Sequence, residues 1–461
     1  MQILTALVIL AVLLCVTVAL AQPATNPQRP WETWQPPAVT LPNPNGFDTY
    51  LKAFALKAEI DRAHGLPREN GAPPPPANAP GAPPGAPPGP AGDAKAGPPW
   101  PATGPPFPLP GGAAPAGAEP PVDLWGEGPR DLPLDQRIAP YADVLKLCRQ
   151  AMTQECRIPP PMGGDDTFPF LAKFRAVARL FAMAAAAYRD KGDFAASANS
   201  ALDGIRMAQD AATHHTRIGY LVGTACEAIG GFALDRTIPQ LDAPASKAAL
   251  ARLQEIEARR VPIAQVIADE ERDERVLFKA LVANPKRLEE LRDDTGQAGA
   301  APLDARTFNW ANSWQALGDY FAQERELAKQ PYALRVKPIS STDPLVSAVA
   351  PALARVWLRD AQTRTAANLR IARLAAQAFL LERGRLPATP GDVVPAYLPR
   401  VPDDPFGTGP LRARIEGNAL IIYSIGPDGV DDGGEAFVGN FPNADSKGDV
   451  VVHVLLKVNQ P

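Results

Sequence analysis

The spacing of apolar residues predicts helices through most of the chain. Between residues 136 and 332, apolar positions recur every three or four residues, which is typical of amphipathic helices. Gly192 and Asp193 separate two of these segments and suit the end of one helix and the start of the next. This pair is similar to a single tetratricopeptide hairpin. We predict an irregular α-helical bundle of six to eight helices over residues 136–332.

The C-terminal part changes from helical to strand-like patterning. Residues 343–387 predict another long helix, in which Pro351 marks a kink or the start and Gly384 marks the end. Two strand-like runs then flank Gly417-Asn418, and residues 448–458 add a third. The predicted fold class is therefore α+β: a mainly helical bundle, followed over residues 343–461 by one long helix and a three- to four-stranded antiparallel sheet.

The first residues form an apolar run. It extends from Ile3 to Leu20 and ends in Ala19-Leu20-Ala21, a small-x-small pattern suited to signal peptidase. About 18 apolar residues can also just span a bilayer, so residues 1–21 are predicted to be a signal peptide or a membrane anchor. Both alternatives place the rest of the chain outside the cytoplasm, in the periplasm, in the cell envelope or in the medium.

Two segments of different composition precede the bundle. Residues 22–70 are predicted to be extended apart from a short amphipathic helix at 47–64. Residues 71–121 are rich in Pro, Gly and Ala without a collagen period, which predicts a disordered linker. The helix at 47–64 either docks back onto the next domain or remains a tethered element.

Composition narrows the functional classes. The net charge of −4 and the pI near 5.7 argue against nucleic-acid binding, which normally requires a basic face. Four histidines leave little material for zinc or di-iron chemistry. No Walker loop, dinucleotide fingerprint or nucleophile elbow occurs in the sequence.

Three cysteines lie beyond the apolar N-terminal run. Cys148 and Cys156 are a candidate disulfide pair in an oxidising compartment. In one unbroken helix they would be about 12 Å apart along the axis, so the bond requires the helix to end near Gln154. The alternative is that both of them and Cys226 are buried thiols.

Three other groups of polar or aromatic residues are candidate sites. The acidic segment "ADEERDER" (268–275) could supply glycosidase carboxylates, but its mixed charges indicate a solvated, ion-paired helix face. Trp310 and Trp314 share a helix face and suit packing more than sugar or peptide binding. Adjacent His214 and His215 would point about 100° apart on a helix, so we interpret them as helix-start residues.

The last quarter of the chain carries three motifs in a characteristic order. They are "GRLP" (384–387), "DPFG" (404–407) and "SIGPDG" (424–429). Together they resemble the C-terminal half of the major pseudopilins of type II secretion systems, and the resemblance covers residues 350–461. Pseudopilins fuse a processed leader directly to the long helix, whereas here a helical insertion intervenes. We therefore do not expect polymerisation through an N-terminal pilin helix. The chain as a whole is similar to uncharacterised bacterial envelope proteins.

The resemblance implies a structural calcium site. By position, Asp428 is the firmest match and Asp449 a looser one, while Asp431, Asp432 and Asp445 could add oxygens from the intervening loop. Calcium takes six to eight oxygen ligands, which clustered carboxylates and turn carbonyls supply. The chain lacks the family's Asp-x-Asp near the end. The alternative is that "PDG" is simply a β-turn.

These observations predict a non-enzymatic, exported or membrane-anchored envelope protein. We expect it to act as a binding or scaffolding module with a protein partner in the envelope, to bind no nucleic acid, and to contact the membrane only through an uncleaved N-terminal segment. One alternative is an envelope hydrolase or carbohydrate-active enzyme that uses acidic residues. Another is a type II secretion accessory protein that docks on pseudopili.

Overall fold

A computed structural model describes most of the chain outside its N-terminal and proline-rich segments. The described residues are 29–66, 132–160, 169–214, 216–286, 288, 307–335, 339, 341–437 and 446–456. The predicted signal or anchor segment, 1–21, and the predicted linker, 71–121, lie outside them. Among the helices that are described, none is long and apolar enough to cross a membrane.

The described residues form eleven α-helices and one small antiparallel sheet, in agreement with the α+β prediction. The helices are α1 (Pro30–Thr33), α2 (Gly46–Ala63), α3 (Leu134–Ile138), α4 (Ala142–Met152), α5 (Pro169–Asp190), α6 (Phe194–Ala211), α7 (Arg217–Thr237), α8 (Ala243–Glu257), α9 (Ile263–Ala283), α10 (Trp310–Ala328) and α11 (Pro344–Arg383). Short 3₁₀ turns lie at Ala139–Tyr141, Ala212–His214, Ile238–Gln240, Tyr332–Leu334 and Pro390–Val393. The strands are β1 (Arg412–Glu416), β2 (Ala419–Ser424) and β3 (Val450–Leu455).

The predicted helix pair is present as α5 and α6. Gly192 adopts a φ of +78°, the left-handed conformation that ends many helices. The Asp193 side chain then accepts a hydrogen bond from the Ala196 N–H at 3.0 Å and caps α6. The hairpin and both of its caps are confirmed, while the tetratricopeptide likeness stays a prediction.

Close approach between α6 and α7 depends on glycines in α7. A Cβ at Gly223 would lie 2.9 Å from the Ala208 carbonyl oxygen, and one at Gly230 would lie 2.9 Å from the Ala201 carbonyl oxygen. Both distances are shorter than van der Waals contact, so only glycine permits this spacing. The small residues of α7 therefore pack in the bundle core.

The N-terminal amphipathic helix docks onto the bundle. Tyr50 and Phe54 of α2 are buried and pack edge-on against Phe174 of α5, with ring centroids 5.1 and 5.0 Å apart. The Tyr50 hydroxyl donates to the Asp210 carboxylate at 2.7 Å, in the centre of the core. Of the two alternatives for this helix, docking is the one observed.

An aromatic cluster holds the extended segment that precedes α2. Trp31 and Trp34 pack against Trp314, and Phe278 lies at the centre of the group, 5.1 Å from Trp314 and 5.5 Å from Trp310. Packing is thus the role of the Trp310–Trp314 pair, as the sequence indicated.

Helix α11 is the element that joins the bundle to the sheet. Asp343 caps its start by accepting from the Leu345 and Val346 N–H groups, and Gly384 ends it with a φ of +66°. It runs through Pro351 over 40 residues, or about 60 Å. One face, with Leu374 and Phe379, packs in the bundle core. The opposite face packs on the sheet, so the long helix belongs to both cores.

The sheet has the strand order β1-β2-β3. Arg412 pairs with Tyr423 across β1 and β2, and Ser424 pairs with Val450 across β2 and β3. Gly417, with a φ of +59°, provides the tight turn between the first two strands. The turn and the three strands match their predicted positions. The inner face packs on α11 through Leu420, Ile422 and Val452.

The three described cysteines are buried thiols. Helix α4 ends at Met152, before Cys156, so the helix break that a disulfide would need is present. The bond is nevertheless not formed, and Cys148, Cys156 and Cys226 are all free. Burial raises the pKa of each thiol, and that of Cys226 reaches about 12.

Candidate functional site

The predicted acidic loop and a pocket at the junction of bundle and sheet are candidate sites. The acidic loop follows β2. Asp428, Asp431, Asp432 and Asp449 are described, whereas Asp445 lies outside the described residues.

Asp449 anchors the loop from the start of β3. It is fully buried, and its Oδ2 and Oδ1 accept hydrogen bonds from the Gly434 N–H at 2.6 Å and the Asp432 N–H at 3.4 Å. Its own backbone N–H donates to the Glu435 carbonyl at 2.7 Å. Burial, with the Asp431 and Asp432 carboxylates nearby, raises the pKa of Asp449 to about 6.

The other loop carboxylates also bond to the backbone. The Asp432 carboxylate accepts a hydrogen bond from the Gly448 N–H at 3.1 Å. Because the Asp432 N–H also donates to Asp449, the loop and the start of β3 are joined in both directions. Asp431 accepts from the Gly433 N–H at 3.0 Å and pairs with Arg412 at 3.2 Å. These contacts fold the loop onto the sheet rather than aiming its carboxylates at one point.

Asp428 closes its own turn. Its Oδ1 accepts from the Val430 N–H at 3.2 Å, and the Gly429 N–H donates to the Gly426 carbonyl at 3.2 Å. Gly429 has a φ of +71°, as a turn at "PDG" requires. The turn interpretation of this tripeptide therefore agrees with the structure.

No group of three or more His, Cys, Asp or Glu side chains is arranged to hold a metal within the described ranges. Because Asp445 lies outside those ranges, the five-carboxylate set cannot be assembled from them. The Asp431 and Asp432 carboxylates lie near Asp449, and Asp428 accepts from the backbone of its own turn. Calcium binding stays a prediction of the sequence.

The loop has a clear packing role. The outer face of the sheet carries Ile421, Tyr423 and Val451, and Ala436 packs against them. Gly434, with a φ of +85°, lies so close to Tyr423 that a Cβ there would be 3.2 Å from the ring. The acidic loop thus covers the face of the sheet that α11 leaves open.

Sequence reasoning overlooked the role of Asp404, although it lies in the "DPFG" motif. Asp404 is buried, and its Oδ1 accepts from the Ser424 hydroxyl at 2.6 Å and the Phe406 N–H at 3.0 Å. Its Oδ2 accepts from the Ile425 N–H at 2.9 Å. One carboxylate therefore ties the "DPFG" motif to the "SIGPDG" motif. The signal in the sequence was the co-occurrence of the two motifs.

A pocket of about 790 Å³ opens beside this tie. It lies between the end of α8, the start of α9, the Tyr332–Leu334 turn, the middle of α11 and the loop at residues 403–409. Its charged and amide-bearing lining residues are Glu257, Arg335, Asp360, Arg364, Asn368, Asp403 and Asp404. Residues from the bundle and from the C-terminal region thus share one cavity.

Asp360 and Arg364 form the central ion pair of the pocket. They lie one turn apart on α11, and the Arg364 Nε is 2.9 and 3.0 Å from the two Asp360 oxygens. Asp360 is buried and also accepts from the Tyr220 hydroxyl at 2.5 Å. Burial beside this carboxylate raises the pKa of Tyr220 well above its usual value, so the phenol remains a donor.

The "ADEERDER" segment of α9 is largely buried, so its interpretation as a solvated face is wrong. Its charges are paired as expected: Glu270 lies 3.2 Å from Arg217, and Glu271 lies 2.9 Å from Arg275. Helices α7 and α10 pack over this segment and remove it from water, which the charge pattern alone could not reveal.

Burial raises the pKa of two carboxyl groups of α9. Desolvation and the adjacent Glu270 raise the pKa of Glu274 to about 7, despite Arg217 at 3.6 Å. Desolvation raises the pKa of Asp273 to about 6. Neither carboxyl group lines the pocket.

The adjacent histidines precede α7. His214 ends the Ala212–His214 turn, and His215 lies outside the described residues. Thr216 caps α7 by accepting from the Gly219 N–H at 3.1 Å. The expectation that a helix begins at this point is confirmed, with Thr216 as its cap.

Comparison with known proteins provides no family for this chain. No protein-family model, no curated protein and no solved structure matches it. The pseudopilin resemblance therefore rests on the three quoted motifs, and what it implies about function is a proposal.

Proposed function

We propose that the protein is a non-enzymatic, exported or membrane-anchored envelope protein that acts as a binding or scaffolding module. The observation that carries this proposal is the 790 Å³ pocket at the junction of the bundle and the C-terminal region. Pockets of about 300–1,000 Å³ with a few fixed polar groups are typical of ligand sites.

The frame around the pocket favours binding because it is well braced. Helix α11 contributes side chains to the bundle core and to the sheet core, so it connects the two walls of the pocket. The Arg370 guanidinium reinforces this connection by donating to both Asp235 oxygens, at 2.9 to 3.1 Å. A ligand in this cavity would meet preformed contacts and lose little affinity to ordering of the site.

The hydrolase alternative also has an observation in its favour, since four carboxylates line the pocket. Each of them already has strong donors, however. Arg260 donates to both oxygens of Glu257 at 2.8 Å, and Arg400 donates to Asp403 at 2.7 Å. Asp360 and Asp404 are bonded as described above. A glycosidase needs two carboxyl groups whose oxygens can reach the scissile bond, and the oxygens of these four are already engaged by protein donors.

Photo-crosslinking in the envelope tests the proposal. A benzophenone side chain replaces Thr408, an exposed residue on the pocket rim, in the full chain expressed in its own host. We expect one discrete adduct in the extracytoplasmic fraction. The same group at Glu326, an exposed residue of α10 outside the pocket lining, serves as the matched control and should give none. No adduct at Thr408, or equal labelling at both positions, would contradict binding through this pocket.

A further inference from the structure

We propose that the pocket binds a small organic anion through a carboxylate or phosphate group, and that Arg364 and Arg335 recognise it. This inference rests on the binding function proposed above and names the ligand class of the same site.

Arg364 has N–H donors that no described protein group accepts. Only its Nε contacts Asp360, and among the described residues neither Nη atom has a protein hydrogen-bond partner. The side chain is 37% exposed and lines the pocket, so a ligand there can reach the outer edge of the guanidinium. Two parallel N–H groups on such an edge match the geometry of a carboxylate or a phosphate.

Arg335 is a positioned cation without a carboxylate partner. Its guanidinium carbon lies 3.9 Å from the centroid of the Trp357 ring, and its Nε donates to the Leu327 carbonyl at 3.0 Å. Its other protein acceptors, the carbonyls of Ala328 and Gln330, are also neutral. Within the described part of the chain, no carboxylate lies within ion-pair distance of it. Burial lowers its pKa, as expected for a cation that has lost water.

The carboxylates of the lining already have protein partners. Glu257 pairs with Arg260, Asp360 with Arg364 and Asp403 with Arg400. Asp404 is held by N–H and O–H donors, with the Arg412 guanidinium 3.9 Å away. Arg335 differs from Arg364 in that no described carboxylate lies within ion-pair distance of it. A ligand anion would provide it with a direct counter-charge.

Calorimetric titration of the full chain tests the inference. The probes are succinate, inorganic phosphate and, as a neutral analogue of succinate, succinamide, all at constant ionic strength. We expect saturable binding of at least one anion and none of succinamide. Arg364→Gln should weaken that binding about tenfold or more, because it removes a charged hydrogen-bond donor. Arg385→Gln, at an exposed arginine outside the pocket, should leave it unchanged.

A second variant tests the pocket independently, in case Arg364→Gln does not fold. Thr408→Trp leaves both arginines in place and fills the rim of the pocket, and thermal melting checks that both variants fold. The inference is overturned if neither anion binds saturably, or if either folded variant binds as tightly as the unmodified chain. A discrete Thr408 crosslink without anion binding would refute the ligand class alone. Loss of the crosslink as well would refute the binding function.

Discussion

Two acidic regions of this chain stabilise their carboxylates in different ways. In α9, Glu270 and Glu271 are neutralised by the arginine side chains of Arg217 and Arg275. In the loop after β2, Asp432 and Asp449 are satisfied by backbone N–H groups. A helix interior uses its own N–H groups in its ladder, so helical carboxylates need side-chain cations, whereas a loop leaves its N–H groups available.

One contact in α9 supports this explanation because it is the exception. Glu270 also accepts from the backbone N–H of Arg217, at 2.9 Å. Arg217 is the first residue of α7, where a helix leaves its N–H groups without intrahelical acceptors. Glu270 therefore takes a backbone donor at the one point where the start of α7 offers it.

Removal of a buried arginine from the bundle should have the largest effect. The Arg260 side chain is 5% exposed and lies 2.7 Å from the fully desolvated Glu227 carboxylate. Arg260→Met would leave that charge buried without its cation, and we expect the free energy of unfolding to fall by about 3–5 kcal/mol. Urea denaturation of the full chain measures it.

An exposed pair provides the control for that experiment. Arg400→Met breaks the Arg400–Asp403 pair, whose side chains are 71% and 62% exposed, and should cost less than about 1 kcal/mol. Addition of Glu227→Gln to Arg260→Met should recover part of the loss. If Arg260→Met and Arg400→Met cost the same, dependence of bundle carboxylates on arginine would be refuted.

Removal of the loop anchor should have a smaller and more local effect. Asp449→Ala deletes the acceptor of the Asp432 and Gly434 N–H groups. Two backbone donors would then lack an acceptor, which costs about 2 kcal/mol. We expect faster hydrogen exchange at residues 430–437 and little change in the bundle. Exchange that rises equally in α5 would contradict a local anchor, and Asp428→Ala, which affects only its own turn, is the matched control.

The stability of the bundle should also depend on pH. The pKa of Glu274 is raised to about 7 by burial and by the adjacent Glu270, with Arg217 opposing. A carboxyl group with a raised folded-state pKa stabilises the fold below its unfolded pKa, and that contribution is lost as the pH rises through the folded value. The window for Glu274 is therefore about pH 4.5 to 7.

We expect the free energy of unfolding to fall by about 1–2 kcal/mol between pH 5 and pH 8. Urea titrations at both values measure the change. Glu274→Gln, which keeps the shape and stays neutral, should reduce it. A Glu274→Gln profile that superimposes on that of the unmodified chain would assign the pH dependence to other groups.

Calcium provides the finest test of the loop. The sequence prediction is that millimolar calcium raises the melting temperature of the full chain relative to chelator, and that Asp428→Ala abolishes the rise. At 100 times the dissociation constant, a bound ion would add about 2.7 kcal/mol to folding, and less at lower saturation. An unchanged melting temperature would mean that these carboxylates serve the loop backbone alone.

Local signals predicted the elements and their ends with success. Gly192 with Asp193, Gly384 and Gly417 each mark a boundary that the structure reproduces. These positions depend on contacts within a few residues, such as a cap or a positive φ, so the sequence nearby contains the needed information. The helix at 343–387 was also recognised, although Pro351 lies inside it.

The candidate site was predicted less well, because its residues are distant in sequence. Asp404 bonds to Ser424, and Arg335 shares a pocket with Arg364. Burial likewise arises from packing between helices, so the charge pattern of α9 suggested a solvated face where the structure has a buried one.

By itself, the sequence determined that this protein is a helical bundle followed by a long helix and a small antiparallel sheet, because periodicity and caps act locally. The tertiary structure alone decided that α11 belongs to two cores, that the acidic loop covers the sheet, and that a pocket lined by two arginines opens between the bundle and the loop at residues 403–409. The physical reason is that desolvation and ion pairing depend on which surfaces meet, and no local pattern specifies that.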